Sequence, residues 1–335
     1  MDQSHLNIAR DGAQKIATDR LLSFHGLKPS SALELQSFDI DHFGESERYA
    51  GASSMPLSTG ATAIMRARLS LPTMTLSLVK TFPRIIRGYD LAHAVALVVP
   101  MDHVTATRIN GQTIGSSVVI LKGASDCFVY EPEGRLMAVA YFTPPERAPW
   151  AQLTDGHHLL SPASDMLVAL RGLISATLET AAYDPDVLDE PASRAVVEQS
   201  LLSTMEAAII TSVASGPVHS TMESYLRIVV DMEKLIRRDL MIWHKTTELA
   251  KQTGVSVRTL QSATQAICGM SPNRYSRVLR LWSVRKELRI GPAGRSVKSS
   301  AIAHGFWHLS EFAGSYRAAF GELPSETLHR SQRGE

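Results

Sequence analysis

Apolar and polar residues alternate between Thr62 and Phe142, and after Pro149 the apolar positions recur every three or four residues. The first stretch breaks into short runs rich in Val, Ile, Thr and aromatics: TAIMRARL, TMTLSLVKTF, HAVALVVPM, VTATRI, SVVILKG, CFVYE and RLMAVAYF. In TMTLSLV, Met74, Leu76 and Leu78 fall on one face and Thr73, Thr75 and Ser77 on the other, the period of two that marks a strand. Turn residues separate the runs: Leu71-Pro72, Gly88, Asn110-Gly111, Gly115, Gly123 and Pro132-Glu133-Gly134. Strands at this spacing predict a sandwich or small barrel over residues 1–150, and small barrels can hold a ligand in the mouth or interior. Residues 1–60 are poorly patterned. MDQSHLNIARDGAQKIATDRLL reads as a short helix and GASSMPLSTG, 51–60, as a loop.

After Pro149 the period is helical. Residues 164–182 place Leu167, Leu170, Ile174 and Leu178 on one side, and 193–212 do the same with Val197, Leu201, Met205 and Ile209. The loop DPDVLDEP joins them. Two amphipathic helices spanning 151–214 either cover the β-region or pair with a second subunit. Gly216-Pro217 breaks the pattern and sets a boundary near 214–221. A long helix over 222–239 follows, with Leu226, Val229, Val230, Glu233 and Ile236 on one side; its charges Lys234, Arg237 and Arg238 read as a solvated face.

The next stretch, 246–267, is TTELAKQTGVSVRTLQSATQAI. Leu249 and Ala250 give a first helix its apolar side, Gly254 can end it in a left-handed conformation, and Val255 fills the corner. Ser256 is a good N-cap for a second helix with Leu260, Ala263 and Ile267 inward. The helix PNRYSRVLRLWSVRKEL comes next, ended by Gly291-Pro292-Ala293-Gly294, and then the pattern returns at 297–320. Ala250 precedes Gly254 by four residues, as Ala301 precedes Gly305; Val255 is matched by Phe306, and the inward set by Phe312, Tyr316 and Phe320. Gly269 stands three residues before Pro272, as Gly321 stands before Pro324. The period is 51 to 52, with one extra residue in the second turn. Two helix-turn-helix units joined by one rigid helix account for it. The joining helix is about 25 Å long at ~1.5 Å per residue. With the units' own width added, two recognition helices can reach successive major grooves, about 34 Å apart.

Charge divides the chain at the same place. From Thr221 onward there are 18 Lys+Arg against 10 Asp+Glu; before it, 16 against 23. A basic third joined to an acidic remainder suits a protein of which one part meets a polyanion. The 44% hydrophobic and 20% charged content describes a globular chain long enough for two or three domains. No run of about 18 apolar residues suggests a membrane span, and MDQSHLNIARDGAQK lacks the basic start and apolar core of a signal peptide, so a cytoplasmic location is expected. Cys127 and Cys268 form no motif and are expected to be buried small hydrophobes.

The segments GVSVRTLQ, GMSPNRY, RLWSVRKEL and GFWHLSEFAGSYRAAFGELPSETL resemble the DNA-binding region of AraC/XylS-type transcription regulators, over about 222–330. The β-rich region and its helix pair are similar in architecture to that family's cupin-like sensor domain and dimerisation helices. The resemblance implies an α+β two-domain chain: a cupin-like β-barrel or sandwich with two flanking helices, then an all-α region with two helix-turn-helix units. It further implies double-stranded DNA as partner, homodimerisation through the helices of 151–214, a small-molecule effector, and RNA polymerase contact with a lean towards activation. Three departures stand out. Ser300 occupies a position where an apolar residue like Leu249 is expected, which predicts a looser second scaffold helix. Ala263 and Thr264 replace bulkier or basic residues. The second recognition helix carries Ser310, Glu311, Ala313 and Gly314 outward, which predicts fewer base contacts there.

Arg258, Gln261, Ser262 and Gln265 are the candidates for base readout in the first unit, since Arg can fork onto guanine and Gln onto adenine. Trp307, His308, Ser310 and Glu311 are the candidates in the second. Ser256, Arg274, Arg277, Lys298 and Arg317 are candidates for phosphate contact, which positions without specifying. Enzyme signals are weak. His157-His158 are adjacent and read as loop residues that cannot converge on a metal, and Asp102-His103 lacks a surrounding His and Glu set. Gly111 and Gly115 read as turn residues, there is no GxSxG, and neither Cys sits in a nucleophile motif. No metal, cofactor or catalytic residue is expected. Two further readings stay open: a β-region that binds a protein in place of a small molecule, and a β-barrel enzyme with a DNA-binding tail.

Overall fold

A computed structural model describes residues 24–38, 53–57, 64–102, 106–143, 150, 153–214, 220–290 and 295–333. The helix expected in the first 22 residues, the breaks at Gly216-Pro217 and Gly291-Pro292-Ala293-Gly294, and His103 lie outside them.

Among the described residues, eleven strands form one antiparallel sheet. They are β1 (Leu33–Phe38), β2 (Ser53–Pro56), β3 (Ile64–Ser70), β4 (Met74–Lys80), β5 (Arg84–Pro100), β6 (Arg108–Ile109), β7 (Gln112–Thr113), β8 (Val118–Glu131), β9 (Leu136–Phe142), β10 (Gly156–Ser161) and β11 (Val213–Ala214). The main order is β1-β3-β4-β9-β5-β8-β10-β11; β2 pairs with β5, and the β6–β7 hairpin joins β8. The sheet curls because β5 and β8 are long and irregular. Their register slips between Arg87 and Tyr89 and again between Asp90 and Val95, and such bulges bend and twist a strand. One half of β5 therefore pairs with β2 and the other with β9. Tyr89, Leu91, Ile109, Val119, Met137 and Val139 are buried together in one of its cores.

Several expectations need correction. Gly88 and Gly123 lie inside continuous strands and do not separate them. SSMP, read as loop, is β2; its only partner among the described residues is β5, and an edge position is where a strand tolerates proline. LELQSF forms β1, whose Leu33 and Leu35 alternate inward over too few residues to stand out. His157 and His158 lie in β10, not in a loop. Pairing with Leu121 and Ile120 of β8 overrides their weak local preference. Asn110-Gly111 is the turn it promised to be: both have positive φ (49° and 83°), and the flanking pairs Arg108–Thr113 and Ile109–Gln112 close a two-residue hairpin.

Helices α1 (Ser164–Tyr183) and α2 (Pro191–Ile210) lie against the sheet. Leu170, Ile174, Leu178, Leu201 and Met205 share one core with Leu69, Leu76, Leu97, Ile120 and Ala140. Glu198 of α2 is buried and accepts from the Thr73 backbone N–H (2.8 Å) and hydroxyl (2.5 Å). No described helix is long and apolar enough to cross a membrane.

The remainder is helical: α3 (Ser220–Arg238), α4 (Thr246–Gln252), α5 (Val257–Cys268), α6 (Pro272–Ile290), α7 (Val297–Ala303), α8 (Leu309–Phe320) and α9 (Pro324–Arg333). Its two cores are not closed on themselves. The first joins Val229, Met232, Ile236, Leu260, Ile267 and Tyr275 with Met55, Ile85 and Phe128 of the sheet. The second joins Val284, Leu288, Phe312, Tyr316 and Phe320 with Ile64 and Phe82. Cys268 is buried in the first of these cores and Cys127 within the sheet, and both are free thiols. Burial pushes the Cys127 thiol up to about 12 and the Cys268 thiol well above its ordinary range.

Candidate nucleic-acid interface

The two helix pairs close in the same way. The Val255 N–H reaches the Ala250 carbonyl (2.9 Å) and the Gly254 N–H the Lys251 carbonyl (3.2 Å). In the second copy Phe306 reaches Ala301 (2.9 Å) and Gly305 reaches Ile302 (3.0 Å). This paired closure satisfies the last carbonyls of α4 and α7 and needs a left-handed residue, which Gly254 (φ 71°) and Gly305 (φ 80°) supply. The recognition helices start differently. Ser256 caps α5, its Oγ accepting from the Thr259 N–H at 3.0 Å; His308 stands at the start of α8 with no side-chain cap. The two helices end alike, at Gly269 and Gly321, both left-handed.

Arg258, Gln261, Ser262 and Gln265 are all exposed on α5, spaced along its outer side, while Leu260, Ala263, Thr264 and Ile267 are buried beneath them. The small residues at 263 and 264 are therefore core residues, and the Thr264 hydroxyl donates to the Leu260 carbonyl at 2.6 Å. In the second unit Trp307, His308, Ser310 and Glu311 are exposed. Glu311 does not stand free: Arg277 of α6 donates to its carboxylate at 2.8 Å and to the Ser315 hydroxyl at 2.6 Å. One phosphate candidate and one base-reading candidate thus occupy each other. Arg274, Lys298 and Arg317 are exposed, and Ser256 keeps its exposed position while serving as cap.

The basic excess is partly internal, which sequence alone did not reveal. Arg280 is fully buried, donating to the Ser276 hydroxyl (3.1 Å) and the Ile242 carbonyl, with its guanidinium 4.8 Å from the Trp243 ring. Burial lowers its pKa and Asp239 opposes that. Arg285 is buried against Glu322 (2.7 Å) and over the Phe320 ring. Ser300 does not leave a loose scaffold helix: it is buried, and its hydroxyl donates at 3.3 Å to Glu287 of α6, which also pairs with Arg295 and His304. A capping box of Ser296 and Ser299 starts α7.

Residues 249–330 match a family model described as a helix-turn-helix domain. The XylDLEGF operon transcriptional activator of Pseudomonas putida is 35% identical over 111 residues, 33% of each chain. The "Probable thc operon regulatory protein" of Rhodococcus erythropolis is 42% identical over 82 residues, 24% of this chain and 25% of its own. The matches thus span about a third or less of these curated relatives' length. A solved structure, "a probable AraC family transcriptional regulator" from Rhodopseudomonas palustris CGA009, is 35% identical; the match covers 31% of this chain and 96% of that one, with a TM-score of 0.29. Over residues 249–330 the chain carries a helix-turn-helix domain similar in sequence to those of these transcriptional regulators.

The sheet holds the first unit directly. Glu233 of α3 is buried and receives three donors: Arg87 Nε of β5 at 2.8 Å, the Tyr275 hydroxyl of α6 at 2.9 Å, and Arg237 Nε at 2.6 Å. Arg237 is therefore a partner of this carboxylate and no mere solvated charge. The Arg87 guanidinium also lies 3.8 Å from the Phe128 ring centre. Burial works against the Arg87 charge, but Glu233, Tyr275 and Asp126 outweigh it and the net shift is upward. Burial likewise holds the Tyr275 phenol well above its ordinary range. Farther along, Arg108 of the β6–β7 hairpin donates to the Gln265 (3.1 Å) and Ala266 (3.0 Å) carbonyls at the end of α5. These lie where a helix has unpaired carbonyls and a negative dipole end. Gly269 packs so tightly on the Tyr130 ring that a Cβ there would overlap it. The helix α5 is thus gripped at its C-terminal end by the β-region while the side carrying Arg258, Gln261, Ser262 and Gln265 stays exposed.

Proposed function

We propose that the protein is a sequence-specific, DNA-binding transcription regulator, an activator, whose β-region receives a small-molecule effector. The observation that carries this reading is the repeated helix-turn-helix unit, closed by the same bonds at Gly254 and Gly305 and presenting Arg258, Gln261, Ser262 and Gln265 outward on α5. Arg258 forks onto a guanine and Gln261 onto an adenine; Arg274, Lys298 and Arg317 meet phosphates. The chain acts without catalytic residues, metal or cofactor, in the cytoplasm. Two copies pair through α1 and α2, whose outward Val168, Val196 and Ile210 are exposed apolar residues. RNA polymerase is the partner of the activating state.

Effector binding works by changing how firmly the sheet holds α3 and α5. Arg87, Phe128, Tyr130 and Arg108 lie on β5, β6 and β8, so a shift in the curl of those strands moves the grip on Glu233 and on the end of α5. Coupling of this kind needs the effector to favour one arrangement of the strands over the other. A second reading has one observation in its favour. Tyr89, Ile109, Val119, Met137, Val139 and Leu159 pack into one buried apolar cluster on the sheet. Close apolar packing of this kind suits a β-region that binds a protein partner.

Gel shifts of the full chain against a random duplex pool test the main reading. Enrichment of a defined sequence is expected, and binding that stays equal for all duplexes refutes it. A thermal-shift screen of small metabolites separates the two readings of the β-region, because a ligand that binds only the native state raises its stability.

A further inference from the structure

The two recognition surfaces differ in chemistry as well as in strength. At the turn and first two helical turns of the first unit stand Ser256, Arg258, Gln261 and Ser262, all exposed and all able to hydrogen-bond. The same place in the second unit carries the additional turn residue, Trp307, exposed at 62%, and Leu309, exposed at 37% as the first residue of α8. Of its polar neighbours, Glu311 and Ser315 are both held by Arg277, while His308 and Ser310 stay exposed. Trp307 also lines a cleft of about 200 Å3 together with Phe306, Phe312 and Trp243. An indole and a leucine held out to water at the entrance of a recognition helix face an apolar feature of the groove. A base pair presents one such feature there, the 5-methyl group of thymine.

We infer that the second helix-turn-helix unit reads thymine through its methyl group, with Trp307 as the specificity-determining contact and Leu309 beside it. The inference rests on the DNA-binding reading and adds to it a means of recognition that the first unit does not use. Burial of a methyl against an aromatic ring takes the place of hydrogen-bonding readout by Glu311, whose carboxylate is paired with Arg277.

Replacing thymine by deoxyuridine removes this methyl and leaves every hydrogen-bonding group of the base pair in place. A duplex recovered from a random pool by the full chain is substituted one thymine at a time. At one or more thymines of the half-site under the second unit, affinity falls about fourfold, the change for losing burial of roughly one methyl. The Trp307→Ala protein binds the parent duplex more weakly, shows no loss on deoxyuridine substitution there, and keeps its discrimination in the other half-site. Its melting temperature is unchanged, because the side chain is mostly exposed. Insensitivity of the wild type to every such substitution, with specific binding intact, overturns the inference and leaves the DNA-binding reading standing. So does a deoxyuridine penalty that persists in both Trp307→Ala and Leu309→Ala. If no duplex is enriched at all, the DNA-binding reading fails and takes the inference with it.

Discussion

Four exposed side chains on α5 are the proposed base readers, and they differ in how much discrimination each can supply. Arg258 offers a fork of donors that matches a guanine, whereas Ser262 offers one hydroxyl that suits several bases. Arg258→Ala is therefore expected to weaken specific binding by about 1–3 kcal/mol and to leave non-specific binding nearly intact. Titration against cognate and scrambled duplexes checks it, and an equal loss on both would mean a phosphate contact only. Glu233 belongs to the same scale but to stability. With Arg87, Arg237 and Tyr275 all donating to it, Glu233→Ala leaves the largely buried Arg87 without this partner. A loss of about 3–5 kcal/mol in chemical unfolding is expected. The outward set on α5 was legible in the sequence because helical spacing separates it from Leu260, Ala263 and Ile267. The Glu233 cluster was not legible, since its donors come from residues 42 and 146 positions away. Nor was the burial of Arg280 and Arg285, because a basic helix face looks alike whether it meets solvent or the ring of a neighbouring tryptophan or phenylalanine.

At the scale of elements, the paired units rest on two glycines that are equal in backbone and unequal in surroundings. Both take positive φ, so alanine at either costs about 1–2 kcal/mol. At Gly254 an added Cβ meets open space, whereas at Gly305 it comes to 2.8 Å from the Met241 carbonyl oxygen. Gly305→Ala is therefore expected to destabilise clearly more than Gly254→Ala, as thermal unfolding of the two variants would reveal; equal losses would contradict this packing. The repeat itself was readable from spacing alone, because capping glycines and corner residues act within a few positions. The strands were less so. Alternation picked out β3, β4 and β9, whose neighbours lie on both sides. It missed β2 and β10, which owe their conformation to pairing with β5 and β8. It also split β8 at Gly123 and put a turn at Gly88, missing the first half of β5, since a glycine within a bent strand carries the same signature as a glycine between two strands.

Across the whole molecule, the division between β-region and helical region seen in pattern and charge is not a division in packing. Met55, Ile85 and Phe128 belong to the first unit's core and Ile64 and Phe82 to the second's. Both units therefore rest on the sheet. This shared packing is the physical link through which the proposed control by the β-region would act, and it was illegible in sequence because contacts between distant segments leave no local period. The central claim remains that the two units read DNA together. Footprinting the full chain on a duplex selected from a random pool tests it most directly. Two protected segments centred about one helical turn, roughly 10–10.5 base pairs, apart are expected, one under each unit. A single protected segment, or protection that does not follow the sequence, would contradict the account.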